Sequence, residues 1–304
     1  MTTAPVIGRF APSPTGELHF GSLVAAVGSY LATKSVGGLW LLRVEDIDPP
    51  REVEGSARRI ISDLEWLGMR PDAPVLYQSS RLGAYQAALQ RLLAAGLAYP
   101  CGCSRSDLPA SGIYPGTCRG GIPGGRKARS IRFRVDADDG YFDDRVQGRV
   151  KTAAASSGDF VIRRADGLFA YQLAVVVDDA FQRVTEVVRG ADLLESSQRQ
   201  ICLQKALSLP QPAYAHLPLA VDAEGGKLSK RVQADPFRRG DPVRTLRAAL
   251  GFLGQRPPAM TRLDSLWQWA IANWRWERVP RCPTLEAGLG PAPATAAGAG
   301  NDQA

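Results

Sequence analysis

Histidine is scarce in this chain. Its 304 residues contain two, His19 and His216, which excludes a metal centre built from several imidazoles. Long apolar runs are missing too. None approaches the ~20 residues of a membrane-spanning helix. The start, Met1-Thr2-Thr3-Ala4-Pro5, has neither a basic stretch nor an apolar one, so no export signal is visible and a cytoplasmic location is expected. Cysteines number five, an odd count for a disulfide framework. Three of them cluster at Cys101, Cys103 and Cys118, which in a reducing compartment points to a metal more than to disulfides.

The rest of the composition is ordinary for a globular protein, with 45% hydrophobic and 22% charged residues. The length suffices for one large domain or two modest ones. Net charge is +7, from 37 Lys+Arg against 30 Asp+Glu. The excess is mostly arginine and permits a polyanionic partner.

One stretch organises the chain: Arg9-Phe10-Ala11-Pro12-Ser13-Pro14-Thr15-Gly16-Glu17-Leu18-His19-Phe20-Gly21-Ser22. Val6 and Ile7 before it read as the end of a buried strand. Pro12, Pro14 and Gly16 forbid regular structure and make a stiff turn. After His19, Leu23, Val24, Val27 and Leu31 fall on one helical face. His19 and the amides of Gly21 and Ser22 then stand at a helix N-terminus, whose unpaired N–H groups and partial positive charge suit a phosphate.

Residues 38–44 form a continuous apolar run, the pattern of a buried parallel strand. It ends in Arg43-Val44-Glu45-Asp46-Ile47-Asp48-Pro49-Pro50, with polar residues where open α/β sheets bind ligands; Asp46 and Asp48 also suit the start of the next helix. Val53 to Leu67 mark that helix, stopped by Gly68. A short strand follows at 75–77, then a helix from Leu82 to Leu93 capped by Gly96. Strands alternating with helices imply an α/β, doubly wound sheet up to residue 100 or so. Residues 101–130 hold three Cys and seven Gly with no helical period. They read as an insertion pinned by something other than a core. Strands are expected over 131–162, a helix or strand from Tyr171 to Asp179, a strand ending at Arg189, and a helix over 196–209 burying Cys202. A last helix carries Val243, Leu246, Leu250 and Leu253. The tryptophans at 267, 269, 274 and 276 are read as packing the C-terminal helices onto the body, and from Pro283 on the Ala/Gly/Pro composition predicts a disordered tail.

Two strings carry a family resemblance. His19-Phe20-Gly21-Ser22, with the Arg-Phe-Ala-Pro-Ser-Pro-Thr-Gly run before it, resembles the nucleotide signature of class I aminoacyl-tRNA synthetases in their glutamyl/glutaminyl branch, with Ser22 in place of the second histidine. About 200 residues later, Lys227-Leu228-Ser229-Lys230-Arg231 resembles the second signature of that class, with Arg231 for its last serine. The resemblance covers residues 5 to about 255. It implies a class I synthetase Rossmann-type nucleotide-binding fold with a zinc-stabilised insertion and a short helical C-terminal part. The halves of the catalytic domain are then expected at 1–100 and 186–240, the insertion at 101–185, the helical part at 241–282 and the tail at 283–304.

The resemblance further implies activation of L-glutamate by ATP with Mg2+. His19, Lys230 and Lys227 are the catalytic candidates. Pro12, His19, Gly21, Ser22, Leu228, Ser229 and Lys230 would bind ATP. Arg9, Ala11, Ser13, Glu45, Tyr171 and Arg189 would bind glutamate, with Glu45 facing the ammonium and either arginine able to grip a carboxylate bidentately. For the cysteine cluster, zinc chemistry asks for a fourth ligand. Asp107, Tyr114, water, Cys202 and Cys282 are open. Chemistry alone favours Asp107, and the resemblance favours Tyr114.

A glutamyl synthetase of ordinary size continues into a large anticodon-binding domain, which is not seen here. The truncated form of the family implies transfer of glutamate to the queuosine base in the anticodon of tRNA(Asp) by a monomer. Rival readings are 3′-aminoacylation of tRNA(Glu), a non-catalytic tRNA-binding zinc protein, and a small-molecule ligase on the same fold.

Overall fold

The computed structural model describes residues 5–135, 139–153, 158–222 and 239–287. A seven-stranded, mostly parallel sheet runs in the order β3-β2-β1-β9-β10-β6-β7. Its strands are β1 (Ile7–Phe10), β2 (Leu39–Val44), β3 (Leu76–Tyr77), β6 (Asp139–Asp144), β7 (Gly148–Ala153), β9 (Glu186–Gly190) and β10 (Ala213–Leu217). Only the β6–β7 hairpin pairs antiparallel. β1 lies between β2 and β9, parallel to both. From β1 the chain first winds outward through β2 and β3, and later returns on the other side through β9 and β10. The crevice beyond the carboxyl ends of β1 and β9 is therefore a topological switch point, where sheets of this kind bind ligands.

Helices cover the sheet: α1 (Phe20–Lys34), α2 (Ser56–Trp66), α3 (Leu82–Ala94), α4 (Tyr171–Phe181) and α5 (Leu194–Ala206), followed by α6 (Pro242–Phe252) and α7 (Leu263–Asn273). α1 presses closely on the sheet, because a Cβ on Gly28 would lie 2.4 Å from Leu217 Cδ1. The tryptophans pack as their spacing predicts. Trp267 and Trp274 are buried in the core shared by α1, α6 and α7, and Trp267 Nε1 donates to Leu67 O at 2.7 Å. No helix among the described residues is long and apolar enough to cross a membrane.

A second, antiparallel sheet, β4 (Ala98–Cys101), β5 (Ser130–Phe133) and β8 (Phe160–Arg163), carries the cysteine segment. Three expectations need correction. The first strand does not end at Ile7 but runs on to Phe10, which places Arg9 inside the sheet. The segment 171–179, left open between helix and strand, is a helix with its apolar face closed over by α5 and β8. Cys202 is half-buried, not buried. Residues 284–286, read as tail, form β12 (Thr284–Glu286), which pairs in parallel with β11 (Leu219–Val221). Backbone hydrogen bonding to a neighbouring strand needs no hydrophobic period, so composition did not signal it.

Candidate active site

A pocket of about 950 Å3 opens at the switch point. Its lining includes Arg9, Ala11, Pro12, Ser13, His19 and Ser22 from the first strand, loop and helix, and Tyr171, Arg189 and Asp192 from the second half. Ten of the predicted residues lie in the described structure outside the cysteine segment, and all but Glu45 and Gly21 line this one cavity. Lys227, Leu228, Ser229 and Lys230 lie outside the described residues.

His19 is the N-cap of α1. Its Nδ1 accepts from the Ser22 amide at 3.3 Å, while Ser22 Oγ accepts from the His19 amide at 2.9 Å. The serine that departs from the signature thus completes a reciprocal capping box. Two consequences follow. The Ser22 amide, expected to face a phosphate, is already engaged. And because Nδ1 accepts, the neutral ring carries its proton on Nε2. Burial holds this imidazole below its usual pKa, with Asp192 pulling the other way. Gly21 acts by its size: a Cβ there would come within 3.2 Å of the His19 ring.

The two arginines differ. Arg9 is ion-paired with Asp179, Nε to Oδ1 at 3.1 Å and Nη2 to Oδ2 at 3.4 Å. The same carboxylate takes Arg43 Nη1 at 2.7 Å. Burial pushes the Asp179 carboxyl up, but Arg9 and Arg43 outweigh it and hold it below the usual range. Arg189 is 5% exposed and meets only neutral acceptors: His216 Nε2 at 3.0 Å, Tyr171 Oη at 3.3 Å, Ser197 Oγ at 2.7 Å and Leu193 O at 3.3 Å. No carboxylate pairs with it among the described residues. Among the described residues, its charge is the one lining the pocket without an acidic partner.

Glu45 is buried next to Arg43, with Oε1 accepting from Arg43 Nη2 at 3.2 Å. Burial raises its pKa against the pull of Arg43 and Arg9. Asp46 and Asp48 are tethers, not helix charges. Asp46 accepts from the amide and hydroxyl of Ser79, and Asp48 binds Arg51 and Arg164. Sequence reasoning missed Arg43, Asp179, Asp144, His216 and Ser197. The one visible signal was His216, a lone polar residue in the apolar strand β10.

The cysteine segment converges on a second centre. The Sγ atoms of Cys101, Cys103 and Cys118 lie within 4.8 Å of one another, all buried. Cys103 and Cys118 are 3.7 Å apart, and Tyr114 Oη is 3.3 Å from Cys101 Sγ and 3.6 Å from Cys103 Sγ. A tetrahedral zinc with Zn–S near 2.3 Å separates its sulfurs by about 3.8 Å and a sulfur from an oxygen by about 3.5 Å, so three thiols and the phenol fit zinc. Asp107 is elsewhere, capping Ser104 and paired with Arg126. Arg132 stacks over the Tyr114 ring at 3.9 Å and donates to Cys101 Sγ at 3.3 Å. Burial raises the Cys101 thiol, but hydrogen bonds from Tyr114, the Cys103 amide and Arg132 bring it down to about 7. Without a cation the Tyr114 phenol is pushed far up by burial and by its thiol neighbours; a bound metal reverses that balance.

A family model described as tRNA synthetases class I (E and Q), catalytic domain, matches residues 5–111 and 123–255. Its gap falls on the segment holding Tyr114 and Cys118. Over 292 residues the chain is 52% identical to a protein of Chromobacterium violaceum named glutamyl-Q tRNA(Asp) synthetase, a match spanning 93% of this chain and 98% of that one. A relative of the same name from Pseudomonas aeruginosa is 50% identical over 288 residues, with the same two shares. Among solved structures, a glutamate tRNA ligase from Elizabethkingia meningosepticum, crystallised with its amino acid, is similar with a TM-score of 0.77 at 26% identity, over 94% of this chain and 67% of that one.

Proposed function

The chain belongs to the glutamyl and glutaminyl class I tRNA synthetases and is a ligase, and we propose that it activates L-glutamate with ATP and esterifies it to the queuosine base in the anticodon of tRNA(Asp). The observation that carries the amino-acid half is Arg189, a buried cation in the pocket wall whose partners among the described residues are all neutral. Such a group favours an anionic ligand, because a carboxylate restores the charge balance. The acceptor half rests on the name shared by the curated relatives.

In the first step an oxygen of the α-carboxylate attacks the α-phosphorus of ATP. The bond to the β-phosphate's bridging oxygen breaks, and pyrophosphate leaves with its Mg2+. The chemistry asks for charge stabilisation on phosphoryl oxygens more than for a base. His19, through Nε2–H, and the N-terminus of α1 supply it, and the resemblance assigns Lys230 and Lys227 to the triphosphate. Pro12, Gly21 and Ser22, with Leu228 and Ser229, frame the nucleotide. Arg189 and Arg9 take the carboxylates of glutamate, Glu45 offers its second oxygen to the ammonium, and Ala11, Ser13 and Tyr171 close the pocket. In the second step a hydroxyl of the acceptor attacks the activated carbonyl, AMP leaves and the hydroxyl proton passes to solvent.

Cys101, Cys103, Tyr114 and Cys118 would hold one Zn2+, which supplies a structural cross-link. Beside it runs a groove of about 730 Å3 whose lining includes Arg51, Arg105, Arg129, Arg132 and Arg164 against Asp48 and Asp166. That excess of cations suits a phosphodiester backbone. A monomer in the cytoplasm completes the reading.

The test is glutamate-dependent exchange of pyrophosphate into ATP without RNA, followed by transfer of labelled glutamate. Exchange, then label on tRNA(Asp) that survives removal of its 3′ end, is the expected result. Label on the 3′ end of tRNA(Glu) would replace the acceptor half, and no exchange with any amino acid would overturn the whole reading.

A further inference from the structure

His216 is fully buried in β10 and bridges two charged groups that do not touch. Its Nδ1 lies 2.6 Å from Asp144 Oδ2, and its Nε2 lies 3.0 Å from Arg189 Nε and 3.1 Å from Ser197 Oγ. An arginine Nε–H can only donate. Nε2 must therefore accept, and the ring proton sits on Nδ1, donated to Asp144. Asp144 is itself fixed, since its Oδ1 accepts from the amides of Val146, Gln147 and His216. Every atom in the line Asp144–His216–Arg189 has one role.

We infer that His216 is a positioning residue, which orients the Arg189 guanidinium for an acidic substrate by accepting from Nε without neutralising its charge. This rests on the reading that Arg189 grips the side-chain carboxylate of glutamate, the group that is an amide in glutamine. The contrast with Arg9 shows what is gained. Asp179 holds Arg9 just as firmly but matches its charge at contact distance. At Arg189 the nearest carboxylate on this line stands one imidazole ring away. A guanidinium held this way distinguishes a carboxylate from the isosteric amide, because only the carboxylate answers an uncompensated charge. His216 thus sharpens the preference for glutamate over glutamine.

Two amide variants separate the parts of the line. In His216→Asn the amide matches Nδ1 and keeps Asp144 but falls short of Arg189. In His216→Gln the amide reaches the place of Nε2. Loss of a hydrogen bond to a charged group is worth about 10-fold or more, so H216N should raise the glutamate KM in pyrophosphate exchange by that factor, leave the ATP KM alone, and narrow the ratio of glutamate to glutamine kcat/KM. H216Q should recover most of the loss. Equal KM values in H216N and the parent, or a defect that moves both substrates and is not recovered by H216Q, would overturn the inference. Arg189→Leu is run in parallel. If it leaves the glutamate KM unchanged, the assignment of Arg189 fails; if it raises that KM while H216N does not, only the role of His216 fails.

Discussion

The catalytic crevice and the cysteine segment both bury polar groups, and they hold them in opposite ways. In the crevice the partners come from distant parts of the chain. Arg9 of β1 meets Asp179 of α4, and Arg189 of β9 meets His216 of β10, which meets Asp144 of β6. A large apolar core fixes those elements, so the site is shaped by the fold before any ligand enters. In the cysteine segment all four candidate ligands fall within 18 residues, and the buried cluster around them is little more than Tyr99 and the ligands themselves. Backbone in such a segment is ordered by a cross-link or not at all. The crevice is therefore held by packing, whereas the cysteine segment would be held by the proposed zinc.

Asp179→Ala should break the first half of this contrast most severely. It leaves Arg9 buried without its carboxylate and Arg43 with Glu45 and Gln182 alone, which costs about 3–5 kcal/mol. Urea unfolding would measure it, and a loss below about 1 kcal/mol, the worth of an exposed pair, would mean that the crevice is not held together by its ion pairs. Next in size, Arg189→Ala removes charge-assisted hydrogen bonds to the ligand and should cut glutamate-dependent exchange about 100-fold or more. Normal exchange in that variant would place the glutamate carboxylates elsewhere.

Stripping the metal should separate the two regions. Chelation, followed by removal of the chelator and return of Mg2+, is expected to abolish transfer to tRNA while leaving exchange without RNA nearly intact, because the cysteine segment borders the arginine groove and not the pocket. Parallel loss of both activities would make the cysteine segment part of the catalytic core. A milder version is Arg132→Met. It removes the cation that stacks on Tyr114 and donates to Cys101 and should weaken zinc binding about 10–100-fold in chelator competition.

Legibility in the sequence follows the same division. The strand–loop–helix at residues 7–34 was readable because its period and turn chemistry are local, and so was the cysteine cluster, whose ligands are close in sequence. The second-half residues Tyr171 and Arg189 were named by resemblance, not by pattern. Asp179, Asp144 and His216 were not named as site residues. Each acts through a partner at least 27 residues away, and nothing in the local sequence of an aspartate says which arginine it will meet. The capping role of Ser22 was hidden for another reason: the signature invites comparison with histidine, whereas the hydroxyl answers the backbone.

The smallest effect tests whether burial keeps the crevice's imidazole neutral. His19 and His216 are both held below the usual value, chiefly by burial. Above about pH 6.5 the folded and unfolded chains carry the same neutral imidazoles. As the pH falls below that, the unfolded chain takes up protons that the folded one resists, so stability declines until the folded pKa values are passed. The carboxyls of Asp144, Asp159 and Asp179, held below their usual values, add a second decline; their contribution is complete above about pH 4 and is lost as the pH drops through the folded values. His19→Asn keeps an N-cap acceptor and removes one imidazole. Its unfolding free energy should therefore fall less steeply between pH 6.5 and 5 than that of the parent. If the two slopes coincide, His19 is protonated as readily in the crevice as in water, and the shape of the fold does not govern its charge.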